Sequence, residues 1–292
     1  MIRLDRWMAQ CGLPRREAQI VLGAVLGWSR AQLLAHPEHL LSAAELQRLE
    51  RLAVRLRAGE PLAYVLGERE FHGLMFRVTP DVLIPRPETE LLVDLALQKL
   101  DAVGLAACVL DLGTGSGAIA VALAHARPQM QVWAVDASAA ALTVAQDNAR
   151  RLLPAQRTGG PVRFVQSDWF AALRDPLAAA PRFDCIVSNP PYVAQHDPHL
   201  PALRHEPALA LTGVRPSADG LDDLRRIIAQ ASDFLHPHGW LLLEHGYDQA
   251  QAVRDLLHAQ GWREVFSARD LAGIERVSGG RCPSRQQTPA AP

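Results

Sequence analysis

The sequence predicts an α/β protein in which a doubly wound, mainly parallel sheet follows a small all-helical domain. Beyond about residue 105, short apolar segments typical of buried strands alternate with longer segments of helical periodicity. This alternation indicates parallel strands joined by crossover helices that cover both faces of the sheet. The first 65 residues contain helical patterns only, and a glycine-rich turn follows the first predicted strand of the sheet.

Length and composition are those of a globular protein with two domains, or with one large domain and an appendage. The chain has 292 residues, of which 49% are hydrophobic and 21% are charged, a balance that is ample for a sizeable core. Its net charge of -1 at pH 7 gives no indication of a surface built chiefly to hold nucleic acid.

The N-terminus lacks the apolar run of a signal peptide, and no segment approaches membrane-spanning length. The cysteines are scattered without CxxC spacing, at Cys11, Cys108, Cys185 and Cys282. We therefore predict a cytoplasmic protein with no membrane association, in which the thiols are reduced and structural.

The chain is divided into a helical domain at 1–65, a linker with a β-hairpin at 66–84, an α/β domain at 85–282 and a disordered tail at 283–292. In the first domain, Ser42 and Glu45 form a capping box that starts a helix. The linker contains Gly67, Gly73 and Pro80, and strand-like pieces on either side of Gly73 indicate the hairpin. We interpret the helical domain as a recognition domain for a partner; the alternative is a cap that stabilises the larger domain.

The larger domain contains seven strand candidates and several helical segments. We expect strands at 108–112, 131–136, 162–166, 183–187, 240–244, 264–268 and 276–279, and helices at 119–126, 139–152, 221–235 and 249–260. Sheets of this kind bind ligands at the carboxyl ends of their strands, so the turns that follow the strands are the expected ligand site.

Residues 84–90, ahead of the sheet, form a proline-stiffened opening to another helix that starts near Pro87. This opening could place Glu88 or Thr89 beside a ligand's ammonium group. Helix capping is the simpler explanation for both side chains.

The turn after the first strand, at residues 113–118, contains glycines that let the backbone approach a ligand at a helix N-terminus. Gly113, Gly115 and Ala118 also satisfy the dinucleotide-binding pattern, so the turn alone does not identify the cofactor. Asp136 ends the second strand, near the spacing expected for a carboxylate that binds ribose. The pair of features favours an adenosine-containing ligand.

A carboxylate and an aromatic ring follow the third strand, at Asp168 and Trp169. The carboxylate can accept a hydrogen bond from an adenine amino group, and the indole ring can pack against the base. Core packing is the alternative for Trp169 and for its neighbour Phe170.

A rigid elbow follows the fourth strand, in the order Asn189, Pro190, Pro191 and Tyr192. Each proline fixes its own φ and restricts the residue before it, and the elbow lies where open α/β sheets bind ligands. The Asn189 side-chain oxygen and the Pro190 carbonyl can each accept one hydrogen of a planar amino group, against which Tyr192 can pack. We interpret the elbow as the reaction centre; the alternative is a turn that only terminates the strand.

Together these segments resemble the class I S-adenosylmethionine-dependent methyltransferases, which have a seven-stranded Rossmann-like sheet. Within that class they resemble the glutamine-specific release-factor methyltransferases. The resemblance covers about residues 1–282 and rests on motifs at 67–71, 84–89, 111–117, 136, 167–170, 188–192 and 243–246. The glycine turn is generic, and the elbow is shared with adenine and cytosine N-methyltransferases. Their combination with the helical N-terminal segment and the hairpin is specific.

The resemblance implies methylation of the side-chain amide nitrogen of the glutamine in the Gly-Gly-Gln motif of class I peptide chain release factors. The methyl donor, S-adenosylmethionine, is expected against Gly113, Thr114, Gly115, Ser116, Gly117, Asp136, Asp168, Trp169 and Asn189. Catalysis is expected at Asn189, Pro190 and Tyr192, and substrate binding at these three residues and Pro191. The reaction needs no metal, so His196, His199 and His205 are interpreted as part of a loop that covers the substrate.

Two other functions are compatible with the same motifs. A nucleic-acid methyltransferase would use the elbow on the exocyclic amino group of adenine or cytosine, but near-neutral charge and the lack of a basic, aromatic-rich recognition domain count against it. A non-catalytic module would hold a release factor through the N-terminal helices, but the intact glycine turn and elbow count against that function.

Overall fold

The computed structural model describes residues 2–175 and 180–283. The chain divides into two compact units, Met1–Glu68 and Arg69–Pro292. The tail predicted to be disordered, 283–292, lies outside the described residues apart from Pro283. No helix in the described part of the chain is long and apolar enough to cross a membrane.

The first unit consists of short helices around an apolar core of its own. Its elements are β1 (Ile2–Arg3), α1 (Leu4–Gln10), α2 (Arg15–Leu26), α3 (Arg30–Ala35), β2 (Leu40–Leu41), α4 (Ala43–Arg57) and α5 (Leu62–Leu66). The capping box is confirmed at the start of α4, where the Ser42 backbone N–H donates to the Glu45 carboxylate at 2.7 Å. Ser29 and Gln32 form a second box at the start of α3. The antiparallel pairing of β1 with β2 adds a short strand pair to the predicted helices.

The second unit is built on a seven-stranded, mainly parallel sheet, as predicted. A hairpin of β3 (Glu68–Phe71) and β4 (Leu74–Arg77) precedes it in the chain. The strands of the sheet are β5 (Cys108–Leu112), β6 (Gln131–Asp136), β7 (Arg163–Gln166), β8 (Phe183–Ser188), β9 (Leu235–Glu244), β10 (Arg263–Arg269) and β11 (Glu275–Arg281). Their order is β10-β11-β9-β8-β5-β6-β7. Strands β5 to β9 run parallel, and β11 is antiparallel to both of its neighbours.

Helices cover both faces of the sheet. They are α6 (Glu90–Lys99), α7 (Ala118–Ala126), α8 (Ala139–Leu152), α9 (Ala208–Thr212), α10 (Asp222–Ala231) and α11 (Ala250–Ala259), with 3₁₀ turns at Pro87–Thr89, Ala172–Arg174 and Leu200–Leu203. Successive strand residues point to opposite faces. Val109 and Val187 share an apolar core with α6 and α7, whereas Leu110 and Ile186 share one with α10 and α11. The four cysteines are buried and none of them forms a disulfide, as expected for structural thiols.

The parallel register brings the carboxyl ends of the central strands to the same level. Leu112 at the end of β5 pairs with Val135 of β6 and with Ser188 at the end of β8. The Ser188 hydroxyl donates to the Leu112 carbonyl at 2.8 Å, which fixes the ends of β5 and β8 together. The turns that follow β5, β6, β7 and β8 therefore meet at one edge of the sheet.

Asn148, on α8, connects the hairpin to the glycine turn. Its side chain is fully buried, and its Oδ1 accepts from the Arg77 N–H at 2.8 Å. Its Nδ2 donates to the carbonyl oxygens of Arg77 and Ser116, both at 2.9 Å. One amide side chain therefore holds β4 and the turn after β5 in fixed positions.

Replacing Asn148 should destabilise the protein. Asn148→Ala would leave three backbone groups without their partner, and each buried group left unpaired costs roughly 1–3 kcal/mol. Asn148→Asp should cost more, because a carboxylate oxygen would face the Arg77 and Ser116 carbonyls. The free energy of unfolding in urea measures both effects. Gln146→Ala, an exposed amide on the same helix, is the control, and equal stabilities for the Gln146 and Asn148 variants would contradict this role.

Candidate active site

A cleft lies at the carboxyl edge of the sheet, where the strand-to-helix turns meet. Its empty volume is about 1090 Å³ with the open mouth included, which is sufficient for a ligand of cofactor size. The turns after β5, β6, β7 and β8 form one part of its wall, and residues between 81 and 89 and between 207 and 214 form the rest. The ligand site expected from the strand order is thus a real cavity.

The glycine turn forms the floor of the cleft. Gly113, Gly115 and Gly117 all have positive φ, at 73°, 55° and 81°. A Cβ at Gly113 would lie 3.3 Å from the Trp169 ring, whereas a Cβ at Gly115 would meet no atom within 4 Å. Gly115 lines the cleft, so the missing side chain there leaves open space for a ligand. Thr114 also lines it, as does the neighbouring Ser116.

Asp111 lies buried beneath this turn. Its Oδ2 accepts from the Thr114 hydroxyl at 2.6 Å and from the Ala120 N–H at 3.2 Å. Its Oδ1 has no hydrogen-bond partner among the described residues. Burial raises the pKa of the Asp111 carboxyl to about 7, and the two donors only partly oppose this rise. The side chain braces the turn from below.

Asp136, at the end of β6, holds the glycine turn from the side. Its Oδ2 accepts from the Gly115 N–H at 2.8 Å and its Oδ1 from the Ser138 N–H at 2.9 Å. Burial raises the pKa of Asp136, while these backbone donors oppose the rise. Each carboxylate oxygen can accept a further hydrogen bond, so this side chain, which lines the cleft, can both brace the turn and bind a ligand hydroxyl.

Trp169 forms an aromatic wall of the cleft. Its backbone has a positive φ of 50°, and its Nε1 donates to Asp223 on α10 at 3.0 Å. Arg226, one turn along α10, pairs with Asp223 at 3.3 Å and with Asp168 at 2.8 Å. The predicted residues Asp168 and Trp169 are therefore brought together in the cleft, and two residues of α10 hold them there.

Asp223 and Arg226 were not predicted as site residues. They lie in the first turn and middle of an amphipathic helix, where acidic and basic side chains are ordinary surface features. No local pattern relates them to Trp169, which is 54 residues from Asp223 along the chain. Phe170, by contrast, is fully buried and stacks on Phe234 at a centroid distance of 4.5 Å, so core packing is the correct interpretation for that ring.

The elbow places its first residue in the cleft. Asn189 and Pro191 both line the cavity, and the Asn189 Nδ2 donates to the hydroxyl of Thr89 at 3.2 Å. Pro190 is buried. Tyr192 does not line the cavity. Its hydroxyl donates to Glu244 Oε1 at 3.3 Å, and burial raises the pKa of its phenol.

Glu244, at the end of β9, is a second buried carboxyl near the site. It is 1% exposed, and its Oε2 makes no hydrogen bond with the described residues. Burial raises the pKa of Glu244 to about 7, and the hydroxyls of Thr89 and Tyr192 are close enough to oppose this rise. Glu244 belonged to a sequence motif, but nothing in that motif indicated its connection to Asn189.

The described residues fit an adenosine-containing cofactor of the expected kind. The open space above Gly115 fits the methionine part, and the carboxylate of Asp136 fits the ribose. The indole ring of Trp169 fits the adenine. Residues 2–175 and 180–283 contain no group of three His, Cys, Asp or Glu side chains placed to hold a metal ion. His199, for which a loop role was predicted, pairs with Asp197 at 2.8 Å.

Asp136→Ala should weaken S-adenosylmethionine binding roughly ten- to hundredfold. Hydrogen bonds to a charged group contribute about 1.5–3 kcal/mol, and the substitution also removes the anchor of the glycine turn. Calorimetric titration of the folded variant measures the change. Asp255→Ala, which removes an exposed carboxylate on α11, is the control. Unchanged affinity in Asp136→Ala would place the ribose elsewhere.

Two known protein families match parts of this chain. The PrmC N-terminal domain family matches residues 8–67, and the methyltransferase small domain family matches residues 88–205. Among solved structures, the catalytic domain of hMettl16 in complex with MAT2A 3'UTR hairpin 1 has a TM-score of 0.54 and 17% sequence identity, covering 85% of this chain and 84% of that chain. At that identity the similarity supports the fold alone.

Sequence relatives are much closer. The release factor glutamine methyltransferase of Burkholderia pseudomallei is 56% identical over 269 residues, which are 91% of this chain and 92% of that protein. The release factor glutamine methyltransferase of Bordetella pertussis is 52% identical over 282 residues, 96% of this chain and 99% of that protein. Identity of this extent, over nearly the full length of both relatives, shows that the chain belongs to the release factor glutamine methyltransferase family.

Proposed function

We propose that this protein transfers a methyl group from S-adenosylmethionine to the side-chain amide nitrogen, N5, of the glutamine in the Gly-Gly-Gln motif of class I peptide chain release factors. Membership of the family favours this reaction. The structural observation that carries it is Asn189, which lines the cleft with its amide nitrogen bound to Thr89. Its side-chain oxygen is then the end available to accept a hydrogen from a substrate amide.

When bound, S-adenosylmethionine supplies an electrophilic methyl group on a sulfonium sulfur. The backbone of residues 113–117, at the N-terminus of α7, would hold its methionine part. Asp136 would accept from the ribose hydroxyls. Trp169 would contact the adenine, with Asp168 beside it.

The elbow would act on the substrate amide by orientation. An amide nitrogen is a poor nucleophile because its lone pair is delocalised into the carbonyl. Asn189 Oδ1 and the Pro190 carbonyl would each accept one of its two hydrogens, which favours a pyramidal nitrogen with its lone pair directed at the methyl group. Orientation of two reactants contributes up to about 7–11 kcal/mol to lowering the barrier.

Tyr192 has a supporting role in this scheme. Because burial raises the pKa of its phenol, the hydroxyl remains protonated and donates to Glu244 rather than acting as a base. This hydrogen bond would fix the last residue of the elbow. The proton of the amide can leave after methyl transfer, so no general base is assigned.

The helical unit, Met1–Glu68, is proposed to recognise the release factor, and we place the reaction in the cytoplasm. The rival use of the elbow, on adenine or cytosine amino groups, is distinguished by the substrate that accepts the methyl group.

Asn189→Ala should lower turnover on a release factor by a factor on the order of 10²–10³, since one of two oriented contacts is lost. S-adenosylmethionine affinity should change much less. Asn189→Asp retains acceptor oxygens and should retain more activity than the alanine variant. Transfer of a labelled methyl group, followed with release factor, DNA and RNA offered in parallel, measures turnover and identifies the substrate.

A release factor whose Gly-Gly-Gln glutamine is replaced by alanine is the substrate control, and it should receive no label. Labelling of that factor at the wild-type rate would refute the glutamine assignment. Labelling of DNA or RNA instead would show that the protein methylates nucleic acid.

Removing residues 1–68 should separate recognition from cofactor binding. The shortened protein should bind S-adenosylmethionine but methylate an intact release factor much less efficiently, because the recognition surface is gone. Circular dichroism checks that the remaining unit is folded, and kcat/KM on the intact factor is the measurement. Equal kcat/KM for the two proteins would leave the helical unit with a stabilising role only.

A further inference from the structure

We propose that Thr89 is a positioning residue that fixes which end of the Asn189 side-chain amide faces the cleft. The inference rests on the proposed function, in which Asn189 accepts a hydrogen from the substrate amide. The two ends of an asparagine amide have nearly the same shape but opposite hydrogen-bonding character. A half-turn of the amide would present N–H groups to the substrate N–H groups, so the reaction requires one orientation to be enforced.

The Thr89 hydroxyl is placed to enforce it. Thr89 is 4% exposed, and its Oγ accepts from the Asn189 Nδ2 at 3.2 Å. It ends the 3₁₀ turn Pro87–Thr89, in which its backbone N–H donates to the Arg86 carbonyl at 3.1 Å. The hydroxyl is therefore held by a stiff backbone against the amide nitrogen, while the amide oxygen is directed to the other side.

A hydroxyl can donate as well as accept, so a second group must set its direction. Glu244 is that group. It is buried, Tyr192 donates to its Oε1 at 3.3 Å, and its Oε2 makes no hydrogen bond with the described residues. The Thr89 hydroxyl is close enough to oppose the rise in the pKa of Glu244, and an ionised carboxylate only accepts. We therefore infer that the Thr89 O–H is directed toward Glu244, which leaves its oxygen lone pair for the Asn189 Nδ2.

Glu244 thus sets the orientation of the Thr89 hydroxyl, and the Thr89 hydroxyl sets the orientation of the Asn189 amide. In this arrangement the threonine O–H is directed at the carboxylate, the threonine oxygen accepts from the asparagine Nδ2, and the asparagine oxygen is left for the substrate. Burial favours the neutral form of Glu244, as does the nearby Glu88, whereas Thr89, Tyr192 and Arg276 favour the ionised form that accepts the threonine hydrogen. Asn189 touches the substrate, and Thr89 acts through Asn189.

Thr89→Val keeps the shape of the side chain but removes the hydroxyl. We expect its kcat to fall about ten- to hundredfold, as for a catalytic group that loses its alignment, with KM for the release factor and affinity for S-adenosylmethionine changing little. Thr89→Ser retains the hydroxyl and should recover most of the lost turnover. A serine variant as slow as the valine variant would overturn the proposal.

A double-mutant cycle separates positioning from general damage to the site. In an Asn189→Ala background there is no amide to orient, so adding Thr89→Val should lower kcat no further. The same fold-loss in both backgrounds would mean that Thr89 supports the cleft independently of Asn189, and would overturn the proposal.

A spectroscopic test does not depend on the substrate. The sequence contains only two asparagines, Asn148 and Asn189, so asparagine-selective ¹⁵N labelling gives two side-chain NH₂ groups. In Thr89→Val the Asn189 NH₂ resonances should shift and exchange faster with water, while those of Asn148, bound to Arg77 and Ser116, remain unchanged as the internal control. Unchanged Asn189 resonances would refute the Thr89 contact. Failure of the wild-type protein to methylate a release factor would instead refute the proposed function, whatever the resonances show.

Discussion

Parallel pairing of β5 with β8 places Leu112 opposite Ser188, so the glycine turn and the proline elbow leave the sheet side by side. The Ser188 hydroxyl fixes this register through the Leu112 carbonyl. A shift of one residue between these strands would move one turn relative to the other by about 3.3 Å. It would also place the side chains of the shifted strand on the opposite face of the sheet. The reacting methyl group and the acceptor nitrogen must meet within a similar distance. The register of two buried strands therefore determines whether the cleft can bring its two substrates together.

Two buried carboxyls lie directly behind the walls of the cleft. Asp111 braces the glycine turn, and Glu244 lies behind the elbow. Each is almost fully buried with one oxygen lacking a partner among the described residues, and burial raises the pKa of each to about 7. Because both pKa values are raised above their usual range, the ionised forms destabilise the folded state. Such groups are poor contributors to stability. Asp111 instead directs the hydroxyl of Thr114, which lines the cleft, and Glu244 is proposed to direct the hydroxyl of Thr89.

Local patterns were sufficient for most of the fold. β5, β6 and α8 have the predicted bounds because each is a continuous apolar or amphipathic segment between clear breakers. β9 begins at Leu235 rather than at the predicted position 240, since Pro237 and Gly239 look like a turn when only the sequence is considered. Breakers inside a strand are tolerated at irregularities of the sheet. The pairing of β8 with β9 shifts register between Phe183 and Cys185, and only the tertiary structure shows this irregularity.

The hydrogen bonds that the sequence did not predict join residues far apart in the chain. Asn148 and Arg77 are 71 positions apart, Trp169 and Asp223 are 54 apart, and Asn189 and Thr89 are 100 apart. Glycines and prolines impose their effect on the backbone beside them, so the turn and the elbow could be recognised from the sequence. A threonine or an aspartate acts through its side chain on whatever the fold brings near it. The pairing of these side chains therefore had no signal in sequence order, although the prolines before Thr89 had marked it as a candidate ligand contact.

In the proposed mechanism, stiff backbone on both sides of the Asn189–Thr89 contact makes orientation an effective form of catalysis. Two prolines follow Asn189, and two prolines lie within five residues before Thr89, at Pro85 and Pro87. Proline reduces the number of conformations that the chain must lose when a contact forms, so the hydrogen bond can hold its geometry at little entropic cost. In the proposed reaction the substrate amide nitrogen is a weak nucleophile, and it loses its proton only after methyl transfer. Removal of that proton therefore cannot activate the nitrogen, so the orientation of the two reactants is the main property that the protein can control. The prolines of the elbow and of the turn before α6 therefore make the positions of Asn189 and Thr89 rigid.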